Sequence, residues 1–233
     1  MRINKFLASC GLGSRRKVEE LIIQGKITVN NEITRDLSLD ITDADKVYFN
    51  DKLLELPKES VYIMLNKPKC YITSMKDEKD RRVVIDLLKG LKQKVFPVGR
   101  LDYNTQGLLL LTNDGDFANN IIHPSKHISK TYEVSTKYLL TNKQMNQIRR
   151  GIVIDEKRTL PAKIEFCNKD ENYFYYHITI YEGRNREIRK MFEFLNVKIY
   201  SLKRLSIGGL ELGDLPEGNY RYLNQSEIKK IFS

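Results

Sequence analysis

The chain has 233 residues, of which 41% are hydrophobic, and this length suits one small and one medium domain. Its net charge of +10 favours nucleic acid or another anionic surface as the partner. The sequence contains no apolar run of transmembrane length and no signal-peptide or lipidation pattern, so we expect a cytoplasmic protein that does not bind membranes.

The first sixty residues have the patterns of a small, strongly polarised domain. Ile3, Phe6 and Leu7 have helical spacing, and Ser14 is placed to cap a second helix over RRKVEELIIQ. A β-hairpin is predicted around Asn30-Asn31. Residues 1–35 carry seven basic and three acidic residues, whereas residues 36–60 carry three basic and seven acidic ones. One face of this domain is therefore suited to phosphate and the other to solvent.

Two arginines stand at the start of the second predicted helix. Arg15 and Arg16 fall in its first turn, where the helix macrodipole disfavours cations. This local cost is understandable if the helix start faces phosphate groups. A solvated basic helix end explains the same pattern equally well, and the residues alone leave both interpretations open.

The rest of the chain reads as a longer α+β unit. DKLLELPKES, residues 51–60, has the composition of a linker. Strands are predicted at VYIMLNKP, KVFPVG, GLLLLT, KTYEVST, AKIEFC, YFYYHITIY and VKIYSLKRLSIG, and helices at VIDLLK, DFANNIIH, TNKQMNQIRRG, RNREIRKMFEFL and QSEIKKIF. These elements do not alternate strictly, which favours a mixed, largely antiparallel sheet flanked by helices.

Several functional classes lack their sequence patterns. No dinucleotide-binding or phosphate-binding glycine loop occurs, and no serine or cysteine lies in a nucleophile elbow. The calcium-like spacing that begins at Asp102 has Asn113 where a bidentate glutamate is needed. Three widely spaced cysteines and three histidines favour neither disulfides nor a metal site, and we expect the cysteines to be buried. No cofactor or metal is predicted.

One carboxylate is unusually placed within GRLDYNTQGLLLLTNDGD, residues 99–116. Asp102 follows Leu101 and precedes a turn and four consecutive leucines, at the edge of a predicted buried strand. It is either an ordinary turn residue or an acid beside apolar walls that requires a cation. Residues 184–204 supply seven basic against two acidic residues, and Arg189 borders the apolar stripe of a predicted helix. These residues favour an Asp102–Arg189 ion pair.

The ordered motifs together resemble the ribosomal RNA pseudouridine synthases, over nearly the whole chain. RINKFLASCGLGSRRKVEELIIQGKITVN resembles an S4-type RNA-binding domain, which we place at residues 1–58, with the catalytic domain at 59–233. YIMLNKPKCYITS, GRLDYNTQGLLLLTNDG, SKTYEV, GRNREIRKMF and LKRLSIGGL resemble the successive motifs of the catalytic domain. Cys70 stands where the family usually has glycine, so we expect a turn there that needs no positive φ.

The resemblance implies an isomerase that converts uridine to pseudouridine in RNA without a cofactor. It implies that Asp102 is the catalytic acid, acting as a nucleophile or as a base, that Arg189 is its partner, and that Tyr132 stacks on the flipped base. Contacts to the substrate are expected from Arg100, Asn104, Thr105, Gln106, Lys67, Lys130, Arg184, Arg186 and Leu205. RNA binding by the N-terminal domain is expected from Arg2, Lys5, Ser14, Arg15, Arg16, Lys17 and Lys26.

The resemblance also narrows the substrate. We expect ribosomal RNA or a ribosomal-subunit assembly intermediate as the partner of a monomeric enzyme. The stretches YITSMKDEKDRR and GRLDYNTQGLLLLTNDGDFAN favour the large-subunit branch of the family over the small-subunit branch, whose members share the LELGDLPEGNYRYL ending. A non-catalytic RNA-binding assembly factor on the same scaffold is the remaining alternative.

Overall fold

The computed structural model describes residues 1–233 and divides the chain into two compact units. The first unit comprises Met1–Ser60 together with Asn113–Gly115, and the second comprises Val61–Thr112 together with Asp116–Ser233. Each unit has a hydrophobic core of its own.

The first unit contains two helices and a small antiparallel sheet. Its elements are α1 (Ile3–Ser9), α2 (Arg15–Ile23), β1 (Ile27–Val29), β2 (Glu32–Thr34), β3 (Val47–Phe49) and β4 (Lys52–Leu53), with the strand order β2-β1-β3-β4. The predicted cap is present, because Ser14 Oγ accepts a hydrogen bond from the backbone N–H of Lys17 at 3.2 Å. Asn30 and Asn31 have φ values of 50° and 70°, and a two-residue type I′ hairpin turn requires positive φ at both of these positions.

The linker that was predicted over residues 51–60 is in part regular structure. Asn50 and Asp51 form a second turn with positive φ, and Lys52 and Leu53 then pair with β3. The charge and the single proline of this stretch are typical of a linker, but the Asn-Asp turn brings its start back onto the sheet. This stretch belongs to the first compact unit, which runs through Ser60.

The second unit is a large sheet with helices packed against it. Its strands are β5 (Tyr62–Lys67), β6 (Phe96–Val98), β7 (Gln106–Thr112), β8 (Lys130–Thr136), β9 (Val153–Ile154), β10 (Lys157–Arg158), β11 (Lys163–Lys169), β12 (Phe174–Ile180), β13 (Ile199–Ile207), β14 (Leu210–Glu211) and β15 (Tyr220–Tyr222). Its helices are α3 (Gly115–Ile122), α4 (Asn142–Arg150), α5 (Glu187–Phe194) and α6 (Gln225–Lys230), and two short 3-10 turns span Val84–Leu87 and Pro124–Lys126. None of the helices combines the length and the apolar character that crossing a bilayer requires.

The main sheet is mixed and largely antiparallel, as predicted. Its order is β11-β12-β8-β13-β7-β5-β15, with β6 beside β7 and β14 beside β13, while β9 and β10 form a separate hairpin. Only the pairing of β7 with β13 is parallel. The predicted strands are all present, and the segment VIDLLK forms a 3-10 turn instead of the predicted α-helix. The fold class is α+β.

The four consecutive leucines of β7 are buried on both faces of the sheet. Leu109 and Leu111 pack into one hydrophobic cluster, whereas Leu108 and Leu110 pack into another. Successive side chains of a strand point to opposite faces, so a strand covered on both sides has no polar alternation. The apolar run therefore marks the centre of the second unit.

Gly107 allows β7 and β13 to approach closely at the point where they pair. Its φ is +99°, and a Cβ atom at this position would lie 2.2 Å from the carbonyl oxygen of Arg204. Only glycine fits this arrangement without displacing the backbone. The close approach brings the loop that precedes β7 next to β13.

Candidate active site

The loop between β6 and β7 carries Asp102 and is held by several hydrogen bonds. The backbone N–H of Thr105 donates to the Asp102 carbonyl at 3.0 Å, which closes a turn around residues 102–105. Thr73 Oγ1 donates to the Leu101 carbonyl at 2.8 Å and lies 3.2 Å from the Leu101 amide nitrogen. The Asp102 backbone is therefore fixed on both sides.

Lys67 is fully buried beneath this loop. Its ammonium group donates to four backbone carbonyls, those of Pro68 at 2.9 Å, Asp102 at 3.2 Å, Tyr103 at 3.4 Å and Thr105 at 2.9 Å. Burial lowers the pKa of Lys67 to about 8. The structure does not support the predicted contact of Lys67 with the substrate, because this side chain binds the Asp102 loop from inside the protein.

The carboxylate of Asp102 forms the predicted ion pair with Arg189 of α5. The distance from Arg189 Nε to Asp102 Oδ2 is 3.5 Å, with side-chain exposures of 15% and 32%. Arg189 Nη2 also lies 3.2 Å from the Asn104 carbonyl and 3.3 Å from Thr105 Oγ1. Burial lowers the pKa of Arg189, and the Asp102 charge acts in the opposite direction. The guanidinium thus places a cation beside the carboxylate and links α5 to the Asp102 loop.

A cavity of about 280 Å³ adjoins the ion pair. Asp102, Thr105 and Arg189 line it together with Tyr132 of β8, whose ring is almost fully buried. Ile188, Leu202 and Ile207 are among its apolar lining residues. A partly apolar cleft of this size suits one nucleoside, with Tyr132 available for stacking.

Further charged side chains line the same cavity. Lys130 Nζ donates to the Ile128 carbonyl at 2.8 Å, and burial together with the charge of Arg204 lowers the pKa of Lys130 to about 8. Glu187 accepts a hydrogen bond from the Arg184 amide at 3.0 Å, and burial raises the pKa of Glu187 to about 7.

Three predicted substrate-binding arginines line the cavity with different surroundings. Arg100 is exposed. Arg186 is also exposed and lies 3.5 Å from Glu193. Arg184 is committed to the protein itself, because it pairs with Glu182 at 2.8 Å and donates to the carbonyls of residues 157 and 158. Arg100 and Arg186 are thus the two arginines of this set whose side chains face the solvent.

The remaining predicted contacts are divided between the cavity and its surroundings. Thr105 lines the cavity, Asn104 is exposed beside it, and Gln106 donates to Glu217 at 2.7 Å outside it. Leu205 does not line the cavity, although Leu202 and Ile207 of the same strand do. Leu205 alternates with the inward-facing Leu202 and Arg204, and the β-bulge between Arg204 and Ser206 then shifts the alternation so that Ile207 also faces the cavity.

The expectations about the cysteines are wrong. Cys70 has a φ of 64°, so this turn does adopt the left-handed conformation that usually favours glycine. Its N–H donates to the Tyr103 carbonyl at 2.9 Å, and this hydrogen bond connects the turn to the Asp102 loop. Cys70 and Cys167 are exposed, and Cys10 is half-buried, with a pKa raised to about 11 by burial.

The predicted RNA-binding side chains of the first unit are concentrated around the start of α2. Arg15, Arg16 and Lys17 are exposed in its first turn, next to the Ser14 cap, and Lys17 lies 3.1 Å from Glu20. Lys26 is exposed just beyond the end of the helix. Elsewhere in the unit, Lys5 lies on α1, and Arg2 lies 3.6 Å from Asp40 and donates to the Ser38 carbonyl.

Among the cavity residues that the sequence reasoning missed are the buried Arg204 and Glu187. Arg204 has the same strand parity as the buried Leu202, so a charge on the inward face of β13 was the available signal. Glu187 stands in the first turn of α5 on an otherwise basic segment, and its burial has no clear sequence signal.

Comparison with known proteins places this chain among the enzymes that modify RNA. The family model described as RNA pseudouridylate synthase matches residues 61–194, and the S4 domain model matches residues 1–47. The chain belongs to the RNA pseudouridylate synthase family. It is an isomerase that converts uridine to pseudouridine in RNA.

Individual relatives match along the whole chain. The ribosomal large subunit pseudouridine synthase B of Bacillus subtilis is 40% identical over 99% of this chain and 95% of its own length. The ribosomal small subunit pseudouridine synthase A of Haemophilus influenzae is 36% identical over 99% of both chains. A crystal structure of a pseudouridylate synthase superposes with a TM-score of 0.71 at 34% identity, covering 99% of each chain.

Proposed function

We propose that this enzyme modifies a specific uridine of ribosomal RNA, and more specifically of the large subunit. The support is the full-length similarity to a large-subunit synthase at 40% identity, against 36% for a small-subunit synthase. Small-subunit RNA is therefore the second candidate. The Asp102–Arg189 pair at a cavity with Tyr132 carries the catalytic assignment, since a non-catalytic assembly factor would not need it.

In the proposed mechanism Asp102 is the reacting group. It attacks the sugar, attacks the base or removes the ribose 2′-hydrogen, and in each case it must be ionised and oriented. Arg189 places a cation 3.5 Å from the Asp102 carboxylate, and the turn at residues 102–105 fixes the Asp102 backbone. Tyr132 stacks on the flipped uracil, and Asn104, Thr105 and Gln106 position the target strand beside the acid.

The target nucleotide must leave its stack to reach the cavity. Flipping costs a few kcal/mol and is cheapest in a loop or bulge. Arg100 is exposed at the cavity rim, where it can occupy the space that the flipped base leaves or bind a phosphate. Arg186 is similarly placed to bind backbone phosphate.

The first unit supplies a second RNA contact in this proposal. Arg15, Arg16 and Lys17 are exposed at the amino end of α2, where free amide groups and the helix dipole also attract phosphate. We assign residues 1–58 to RNA binding and residues 59–233 to catalysis. The partner is ribosomal RNA or a subunit assembly intermediate in the cytoplasm, and the enzyme acts as a monomer.

Pseudouridine mapping tests the proposal. Ribosomal RNA from cells that lack the protein is treated with a carbodiimide and read by primer extension. We expect one stop to vanish and to return with the wild type and with the control Asp214→Asn, an exposed acid outside the cavity, but not with Asp102→Asn. If every stop persists in the deletion strain, ribosomal RNA is not the substrate. If Asp102→Asn restores the stop, Asp102 is only a turn residue.

A further inference from the structure

Arg204 is a buried cation without a counter-ion in the active-site cavity. Arg204 is 4% exposed and lines the same cavity as Asp102. Its Nε donates to the Leu108 carbonyl at 2.6 Å, and its Nη1 lies 3.4 Å from the Tyr132 hydroxyl. Its Nη2 is buried and has no hydrogen-bond acceptor within the protein. The Nη2 group of this cavity-lining guanidinium is therefore unsatisfied within the protein.

The neighbouring charges increase the demand for a negative ligand. Lys130 also lines the cavity and has no ion-pair partner, and the charge of Arg204 is one cause of its lowered pKa. The charge of Glu187 raises the pKa of Lys130. Burial, however, raises the pKa of Glu187 itself to about 7, so Glu187 is only partly ionised near neutral pH and is a weak counter-charge. Buried cations are costly unless something pairs with them.

The chemistry of the reaction supplies such a partner. The isomerisation breaks the C1′–N1 bond with its electron pair on the base, forms a C1′–C5 bond, and exchanges the C5 proton for a proton at N1. Attack on the sugar or removal of the 2′-hydrogen releases the base as an anion, and attack at C6 places the charge on the C5–O4 enolate. In all three routes negative charge develops on the carbonyl oxygens of uracil.

We propose that Arg204 and Lys130 form a subsite that binds the carbonyl oxygens of the flipped uracil and stabilises the charge of the base after its bond to ribose is broken. This subsite rests on the proposed function. It acts on the base, whereas the Asp102–Arg189 pair acts on the reacting carbon. It also disfavours cytosine, whose C4 amino group is a donor and finds no acceptor on either cation.

The test compares two RNA substrates with the full-length protein. One carries uridine at the target position, and the other carries 5-fluorouridine, whose electron-withdrawing fluorine makes the base a better anion. Single-turnover rates of glycosidic-bond cleavage are measured for Arg204→Met, Arg204→Lys and Lys130→Met. The control is Arg149→Met, which removes an arginine that also donates to a backbone carbonyl, at 2.9 Å, but lies outside the cavity.

For Arg204→Met we expect the rate on uridine to fall by about 10²–10³-fold, as for the loss of one oxyanion donor. The affinity for RNA should stay within about twofold, because the subsite acts mainly after bond cleavage begins. The loss should be at least tenfold smaller on 5-fluorouridine, as expected where a donor stabilises developing charge. Arg204→Lys should recover part of the rate, and Lys130→Met should show the same substrate dependence.

Three outcomes would overturn the subsite while the wild type remains active. Equal losses of rate on both substrates would mean that Arg204 only supports the fold. If Arg204→Met does not fold, Arg204→Lys and Lys130→Met still allow the two substrates to be compared. Reduced RNA affinity with a shallower salt dependence would assign the cations to a backbone phosphate instead. Unchanged rates would also refute it. A wild type that forms no pseudouridine would refute the proposed function and the subsite together.

Discussion

Lys67 offers the sharpest test of how the structure holds its catalytic acid. Its fully buried ammonium binds four carbonyls of the Pro68 turn and the Asp102 loop. In Lys67→Met these carbonyls lose a charged donor while the volume of the side chain is nearly kept. If the lysine contacted the substrate, as the family resemblance implies, the same substitution would leave the fold untouched.

The size of the effect follows from what remains bonded. The Asp102 and Tyr103 carbonyls keep the amide donors of Thr105 and Cys70. At most the Pro68 and Thr105 carbonyls are then left unpaired, at about 1–3 kcal/mol each. Methionine also avoids the cost of burying an ammonium ion, so we expect a net destabilisation of about 2–3 kcal/mol. For a protein of this size that corresponds to a Tm lower by roughly 4–12 °C.

Thermal unfolding and RNA titration separate the two interpretations of Lys67. We expect Lys67→Met to lower Tm and the turnover rate, while the salt dependence of RNA binding stays that of the wild type. The matched control is Lys69→Met, which removes an exposed lysine two residues along the chain. An unchanged Tm together with weaker, less salt-dependent RNA binding would contradict this structural role and support the predicted contact of Lys67 with the substrate.

Three further changes test other parts of the structure. Replacing Arg15 and Arg16 with glutamine should lower the slope of log Kd against log salt by about 1.4 for single-stranded RNA. The control Lys52→Gln, on β4, should leave the slope unchanged. An unchanged slope in the arginine variant would show that the first unit does not bind RNA. Glu187 has its pKa raised from 4.5 to about 7, so its stabilising contribution is present below pH 4.5 and is lost as pH rises through about 7. The free energy of unfolding of Glu187→Gln, measured by denaturant titration, should therefore lack this decline, and parallel pH curves would contradict the burial argument. Gly107→Ala should destabilise the protein by at least about 1–3 kcal/mol through backbone strain, and an unchanged denaturation midpoint would show that β7 and β13 can separate.

Local features of this chain were predictable because they depend on close neighbours along the sequence. The Ser14 cap, the Asn30-Asn31 turn and the buried leucine strand each follow from a few adjacent side chains. The pairing of Asp102 with Arg189 was implied by the family resemblance, whereas the residues alone indicated that a carboxylate beside apolar residues needs a cation and that one basic segment carries an apolar stripe.

Other positions have ordinary local patterns and take their role from distant ones. Lys67 in Asn-Lys-Pro is compatible with a phosphate contact, and only the fold places its ammonium under the Asp102 loop. Leu205 and Ile207 are equally apolar and two residues apart, yet the β-bulge after Arg204 turns only Ile207 towards the cavity. Cys70 was expected to avoid positive φ, yet its amide is bonded to the Tyr103 carbonyl in that conformation.

The sequence by itself determined the longer helices and strands and the α+β class, because these depend on periodicity and capping within short segments. Only the tertiary structure decided what surrounds the Asp102–Arg189 pair. Arg204 reaches the carbonyl of Leu108, 96 residues earlier, and the Tyr132 hydroxyl, 72 residues earlier, through one parallel and one antiparallel strand pairing. Burial and desolvation are properties of such assembled neighbours, and they convert ordinary lysine, arginine and glutamate residues into the charged lining of the cavity.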